Sequence, residues 1–149
     1  MNKYEYDKSE FRPIYDNYGR LSGYFVRNDG VIFSSKAKRG YYWPRSEDWK
    51  RLTPKISGNT KYPAVSLSIN GRSKTAMIHT LVADAWLELP KPNNILKEEW
   101  DNTSVEMKRL LRKAFVVNHI DHDKGNYHPS NLEFCTQQQN VKKSVTYYG

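Results

Sequence analysis

Asn70-Gly71 lies between two β-prone runs and constrains this chain more than any other dipeptide. A two-residue hairpin turn needs positive φ at its central positions, and Asn-Gly meets that need best. Val65, Leu67 and Ile69 alternate with polar residues before it, the period-two pattern of a strand with one buried face. An antiparallel hairpin is therefore expected over AVSLSINGRSKTAMI. A second is expected over GYFVRNDGVIFSS, around Asn28-Asp29-Gly30. The first ten residues are polar, and no element is expected there.

Helical spacing follows the Asn70-Gly71 hairpin. Met77, Ile78, Leu81, Val82, Ala85, Trp86 and Leu89 fall on one stripe, and Pro90 and Pro92 end it. His79, at the edge of that stripe, reads as packing, with contact to a DNA backbone as its alternative. Residues 95–114 predict further helix, with Thr103 and Glu106 as a capping box ahead of Met107, Leu110, Leu111 and Ala114. AFVVNHI and NLEFCT then read as two short strands separated by a long turn. Thr136 and Gln139 have the spacing of a capping box that starts a last helix. The expected class is α+β: N-terminal hairpins and helices, then a strand–turn–strand–helix unit.

Charge narrows the partners. The chain has 149 residues, 24 Lys and Arg against 16 Asp and Glu, and a formal net charge of +8. Such an excess calls for a polyanion, most simply nucleic acid. An acidic protein partner or membrane headgroups satisfy the same sign. Residues 36–55 interleave Lys36, Lys38, Arg39, Arg45, Lys50 and Arg51 with Tyr41, Tyr42, Trp43 and Trp49. This stretch reads as a surface that grips phosphates, and Lys142 and Lys143 extend the same reading. No apolar run approaches the ~20 residues that span a bilayer, so no membrane contact through a span is expected. MNKYEYDKSEF has no apolar core of a secretory signal, which places the expectation in the cytoplasm. The single cysteine, Cys135, excludes an intramolecular disulfide and a Cys-rich zinc knuckle.

The chemistry concentrates in VVNHIDHDKGNYHPSNLEFCTQQQN, which holds three of the four histidines and four asparagines. Asn131 follows His119 by twelve residues, and Asn140 follows Asn131 by nine. Neighbours on a strand point to opposite faces, so Asn118 and His119 cannot share one task. The last helix would bring Asn140 back toward Asn118. His122, Asp121, Asp123 and His128 read as a solvated turn held by Asx-type bonds.

These residue types, in this order and spacing, resemble the motif of phage-type HNH homing endonucleases. RLTPKISGNTKYPAVSLSINGRSKTAMIHTLVADAW is similar to the hairpin and helix that precede the motif in that family. The resemblance implies a ββα-metal finger: two strands and a helix around one divalent ion, Mg²⁺ or Mn²⁺. It implies His119 as the general base, Asn131 as the residue that braces the turn and orients His119, and Asn118 and Asn140 as metal ligands. Family members often carry Asp where this chain has Asn118, and an amide is a weaker ligand. The implied activity is phosphodiester hydrolysis of double-stranded DNA, leaving 5′-phosphate and 3′-hydroxyl ends, nicked by a monomer. A phage-encoded chain would act in the host cytoplasm. The division implied is a DNA-contacting module over residues 1–60 and an HNH domain over 61–149, with a helical insertion at 95–114 and the finger at 115–144. The alternative is a catalytically silent DNA-binding module on the same scaffold.

Overall fold

A computed structural model of the chain describes residues 10–16, 19–36, 49–56, 58 and 61–139. Among the described residues, three antiparallel sheets gather around one helix. β1 (Phe11–Tyr15), β2 (Leu21–Arg27), β3 (Ile32–Ser34) and β4 (Lys50–Arg51) form a four-stranded sheet in chain order. β5 (Lys55–Ile56), β6 (Pro63–Ile69) and β7 (Arg72–Met77) form a second. The chain then runs through α1 (Ile78–Trp86), α2 (Lys97–Asp101) and α3 (Val105–Leu111) to a two-stranded sheet of β8 (Phe115–His119) and β9 (Leu132–Thr136).

Both expected hairpins form. Asn70 and Gly71 take φ of 53° and 77°, and Ile69 pairs with Arg72 across the turn. Val65 and Leu67 are buried while Ser66 and Ser68 are exposed, as the alternation requires. At the other turn Gly30 has φ 85°, and the Asp29 carboxylate holds the Arg27 guanidinium at 2.7 Å. That hydrogen-bonded pair keeps the Asp29 carboxyl below its ordinary range. β1 lies beyond the sequence expectation. It pairs with β2 from Phe11↔Arg27 to Ile14↔Tyr24, and as an edge strand it tolerates Pro13, which has no N–H to give.

α1 leaves β7 without a side-chain cap and packs on strands of all three sheets. It stops at Trp86, short of the prolines. The Trp86 indole donates to the Val26 carbonyl at 3.1 Å. Arg12 lies 4.2 Å over the Trp86 ring and donates to the Ala85 carbonyl, occupying one of the helix's unpaired terminal acceptors. One apolar cluster, with Ile14, Val26, Ile32, Leu67, Ile78, Val82 and Leu132 among its members, joins the N-terminal sheet to the last strand.

The segment 95–114 departs from a single capped helix. It is two short helices and a 3₁₀ turn at Arg112–Ala114. Ser104, not Thr103, caps α3 by accepting from the Met107 N–H at 3.2 Å; Thr103 instead donates to the Glu99 carbonyl at the end of α2. No residue of the expected stripe is fully buried. α3 buries none of its residues, and Met107 and Leu110 are exposed. Among the described residues, no helix is long and apolar enough to cross a membrane.

Candidate active site

The site is built on the β8–β9 hairpin. Its register pairs Asn118 with Glu133 and His119 with Leu132. Directly opposed residues share a face, so the pairing tells where each side chain goes. Leu132 belongs to the main core, and His119 lies on the same side, under α1. Asn118 lies on the other face, where its Nδ2 donates to Glu133 Oε1 at 3.0 Å.

His119 is only 4% exposed. Its ring stacks on Tyr62 with centroids 5.5 Å apart and planes at 12°. The ring of His79, from the first turn of α1, lies 4.5 Å away at 52°. Burial lowers the His119 pKa below that of a free imidazole, while Asp121 and Asp123 pull the other way. His119 is therefore neutral at pH 7, the form that accepts a proton.

The turn from 120 to 131 is held by Asn131, which is buried. Its Oδ1 accepts from the Asp121 N–H at 3.0 Å. Its Nδ2 donates to Asp121 Oδ1 at 2.9 Å and to the Asn126 carbonyl at 2.7 Å, and its backbone carbonyl accepts from Ile120 at 2.7 Å. Asp121 also accepts from Asp123 N–H and Asn126 Nδ2. The Asn126 bond leads the causes that hold the Asp121 carboxyl below its usual range. His128 accepts from the Ser130 N–H at the start of the 3₁₀ turn Pro129–Asn131. After β9, Gln139 N–H donates to Thr136 Oγ1 at 3.2 Å and Thr136 N–H to Gln139 Oε1 at 2.9 Å. Both bonds of the expected capping box are present, and helix begins at 137.

Two residues near the site escaped sequence reasoning. Glu133 follows from the strand register once β8 and β9 are paired, so a signal for it existed. Tyr62 carries none, because only the tertiary fold brings it to His119. His79, expected to pack, is buried, and its packing partner is the His119 ring. Of the basic residues, Lys50 and Arg51 are exposed on β4. Lys36 folds back, donating to the Ser68 carbonyl and lying 4.8 Å over the Tyr24 ring. Asn140, Lys38, Arg39, Arg45, Lys142 and Lys143 lie outside the described residues.

The donors suit a hard cation. With its nitrogen tied to Glu133, Asn118 keeps Oδ1 without a hydrogen bond among the described residues, and a carboxylate stands beside it. Mg²⁺ and Mn²⁺ favour such oxygen ligands and retain water. Among the described residues no group of three or more His, Cys, Asp or Glu converges to hold a metal.

Residues 111–142, which contain this hairpin, match the HNH endonuclease family. The chain carries an HNH-family module. An uncharacterized HNH endonuclease of Acanthamoeba polyphaga mimivirus is 32% identical over 139 residues, covering 93% of this chain and 31% of that protein. The chain thus spans about a third of the length of this curated relative. The structure of the HNH homing endonuclease I-HmuI, solved in a study of DNA binding and cleavage by that protein, is similar with a TM-score of 0.56 and 26% identity, over 89% of this chain and 57% of the other. The similarity to I-HmuI extends well beyond the HNH module, into the N-terminal sheets.

Proposed function

We propose that the chain is a metal-dependent HNH endonuclease that hydrolyses phosphodiester bonds in duplex DNA, nicking it as a monomer. One observation carries this reading: a buried imidazole with a lowered pKa ends β8, next to an amide whose oxygen has no hydrogen bond among the described residues. His119 takes the proton of the attacking water, because its lowered pKa leaves the ring unprotonated at neutral pH. Asn131 holds the turn after β8 and so limits the ring's freedom. Asn118 and Asn140 would hold the cation through their side-chain oxygens, with the Glu133 carboxylate next to Asn118. When bound, a divalent ion offsets charge on the attacked phosphate and stabilises the leaving 3′-oxygen. Lys50 and Arg51, with Lys38, Arg39, Arg45, Lys142 and Lys143, contact phosphates along the flanking duplex. Lys36 would have to leave its contact with Ser68 to join them. Residues 1–60 would chiefly grip, and 61–149 would cut.

Nicking of supercoiled plasmid in Mg²⁺ or Mn²⁺, with wild type beside His119→Ala, tests the proposal. Wild type should nick only with metal, and the variant should lose at least about 100-fold in rate while still binding DNA. Wild-type protein that binds duplex DNA but never nicks it would replace the nuclease with a silent DNA-binding module.

A further inference from the structure

Glu133 stands directly across the sheet from Asn118 and accepts its Nδ2–H at 3.0 Å. Asn118 is buried and Glu133 half-buried. The next pair on the same face, Val116 and Cys135, is apolar, so strand pairing alone does not call for an amide and a carboxylate here. The aspartates between the two strands serve the turn. Asp121 accepts from Asp123 N–H, Asn126 Nδ2 and Asn131 Nδ2, and Asp123 accepts from Gly125 N–H. Glu133 is the carboxylate that meets Asn118.

An amide has two ends of nearly equal size and opposite character. Its oxygen binds a hard cation; its NH₂ group does not. Shape does not choose between the ends, so a hydrogen-bond partner has to. A carboxylate only accepts. It therefore holds the nitrogen end of Asn118 and repels the oxygen end. We propose that Glu133 is a positioning residue: by accepting from Asn118 Nδ2 it fixes the amide with Oδ1 turned to the divalent cation. This rests on the reading of Asn118 as a metal ligand.

Two substitutions separate positioning from other roles. Glu133→Gln keeps the shape and can still accept from Nδ2. Its own NH₂ group can also donate to Asn118 Oδ1, so either orientation of Asn118 is satisfied and one of them occupies the oxygen. Asn118→Asp removes the choice, because both ends of the side chain are then oxygens. A device that selects one end has nothing left to select.

Mn²⁺ affinity without DNA, read from the electron paramagnetic resonance of the free ion, tests this in a double-mutant cycle. In the wild-type background Glu133→Gln should weaken binding about 10- to 100-fold. In the Asn118→Asp background the same change should weaken it by no more than about 5-fold, the worth of an exposed charge pair. Equal losses in the two backgrounds, or none in either, would overturn the proposal. In wild type alone, Mg²⁺ should move the side-chain ¹³Cγ resonance of Asn118 while its Nδ2 protons keep their hydrogen-bonded shifts. An unmoved ¹³Cγ would also overturn the proposal, even if no variant folded. A wild type that meets both expectations and never nicks plasmid would end the nuclease reading and leave the positioning role standing.

Discussion

Asn118 and His119 are adjacent in sequence and meet different surroundings, because one strand position separates the two faces of the hairpin. Asn118 gives its N–H to Glu133, a bond that an aspartate could not make. Asn118→Asp would set two carboxylates across the β8–β9 pair, and like charges directly opposed destabilise a sheet. A cation between them reverses that sign. The variant should therefore melt below wild type in chelator and gain more from added Mn²⁺ than wild type does. Thermal melts with and without Mn²⁺ measure this; equal gains would remove Asn118 from the metal site. His119, on the opposite face, is governed by burial instead, and its surroundings keep it unprotonated rather than charged.

At the scale of elements, the N-terminal sheet and the HNH module lock together at one glycine. Gly30 has φ +85°, and a Cβ there would fall 2.1 Å from Tyr127 Cε2 and 2.9 Å from Ile78 Cγ2. Ile78 is 1% exposed and cannot retreat; Tyr127 belongs to the turn that Asn131 holds. Gly30→Ala adds left-handed strain to overpacking and should destabilise the protein by about 1–3 kcal/mol. It should also shift the amide resonances of residues 121–131, which lie far away in sequence. Chemical denaturation and an NMR shift map check both parts, and a shift confined to the 28–31 turn would contradict the linkage. Turn signals and capping boxes were legible in advance where the partners are local: Asn70-Gly71 and Thr136/Gln139 needed nothing beyond a few neighbours. β1 was not legible, since its pairing with β2 repays a strand whose own residues include a proline. The cap of α3 was misplaced by one residue because Thr103 found a competing acceptor at the end of α2.

For the whole molecule, the buried imidazoles set a pH dependence of stability. Folded His79 has a pKa of about 4, whereas an unfolded histidine titrates near 6.5. Above about 6.5 both states are neutral and the folded state keeps its full stability. As pH falls through that value, the unfolded chain takes up a proton that the folded chain refuses. Stability therefore declines until the folded ring also protonates near 4. His119 is lowered as well and adds the same sign. The loss attributable to His79 is on the order of 2 kcal/mol by about pH 4, once solvent screening is allowed for. Urea midpoints should fall between neutral pH and about pH 5, and His79→Phe should fall less. Equal slopes in the two proteins would show that His79 is not buried neutral.

The sequence by itself determined the α+β class, both hairpins, the helix after them, the paired strands at the end, and the HNH resemblance around Asn118, His119, Asn131 and Asn140. Each depends on period, turn chemistry or spacing, which act over a few residues. Only the tertiary structure decided which residues surround His119. Tyr62 and His79 lie 57 and 40 positions before it, and α1 brings His79 there by packing against strands of all three sheets. Contacts of that kind follow from how apolar faces close on one another, and a linear pattern of residues does not contain them.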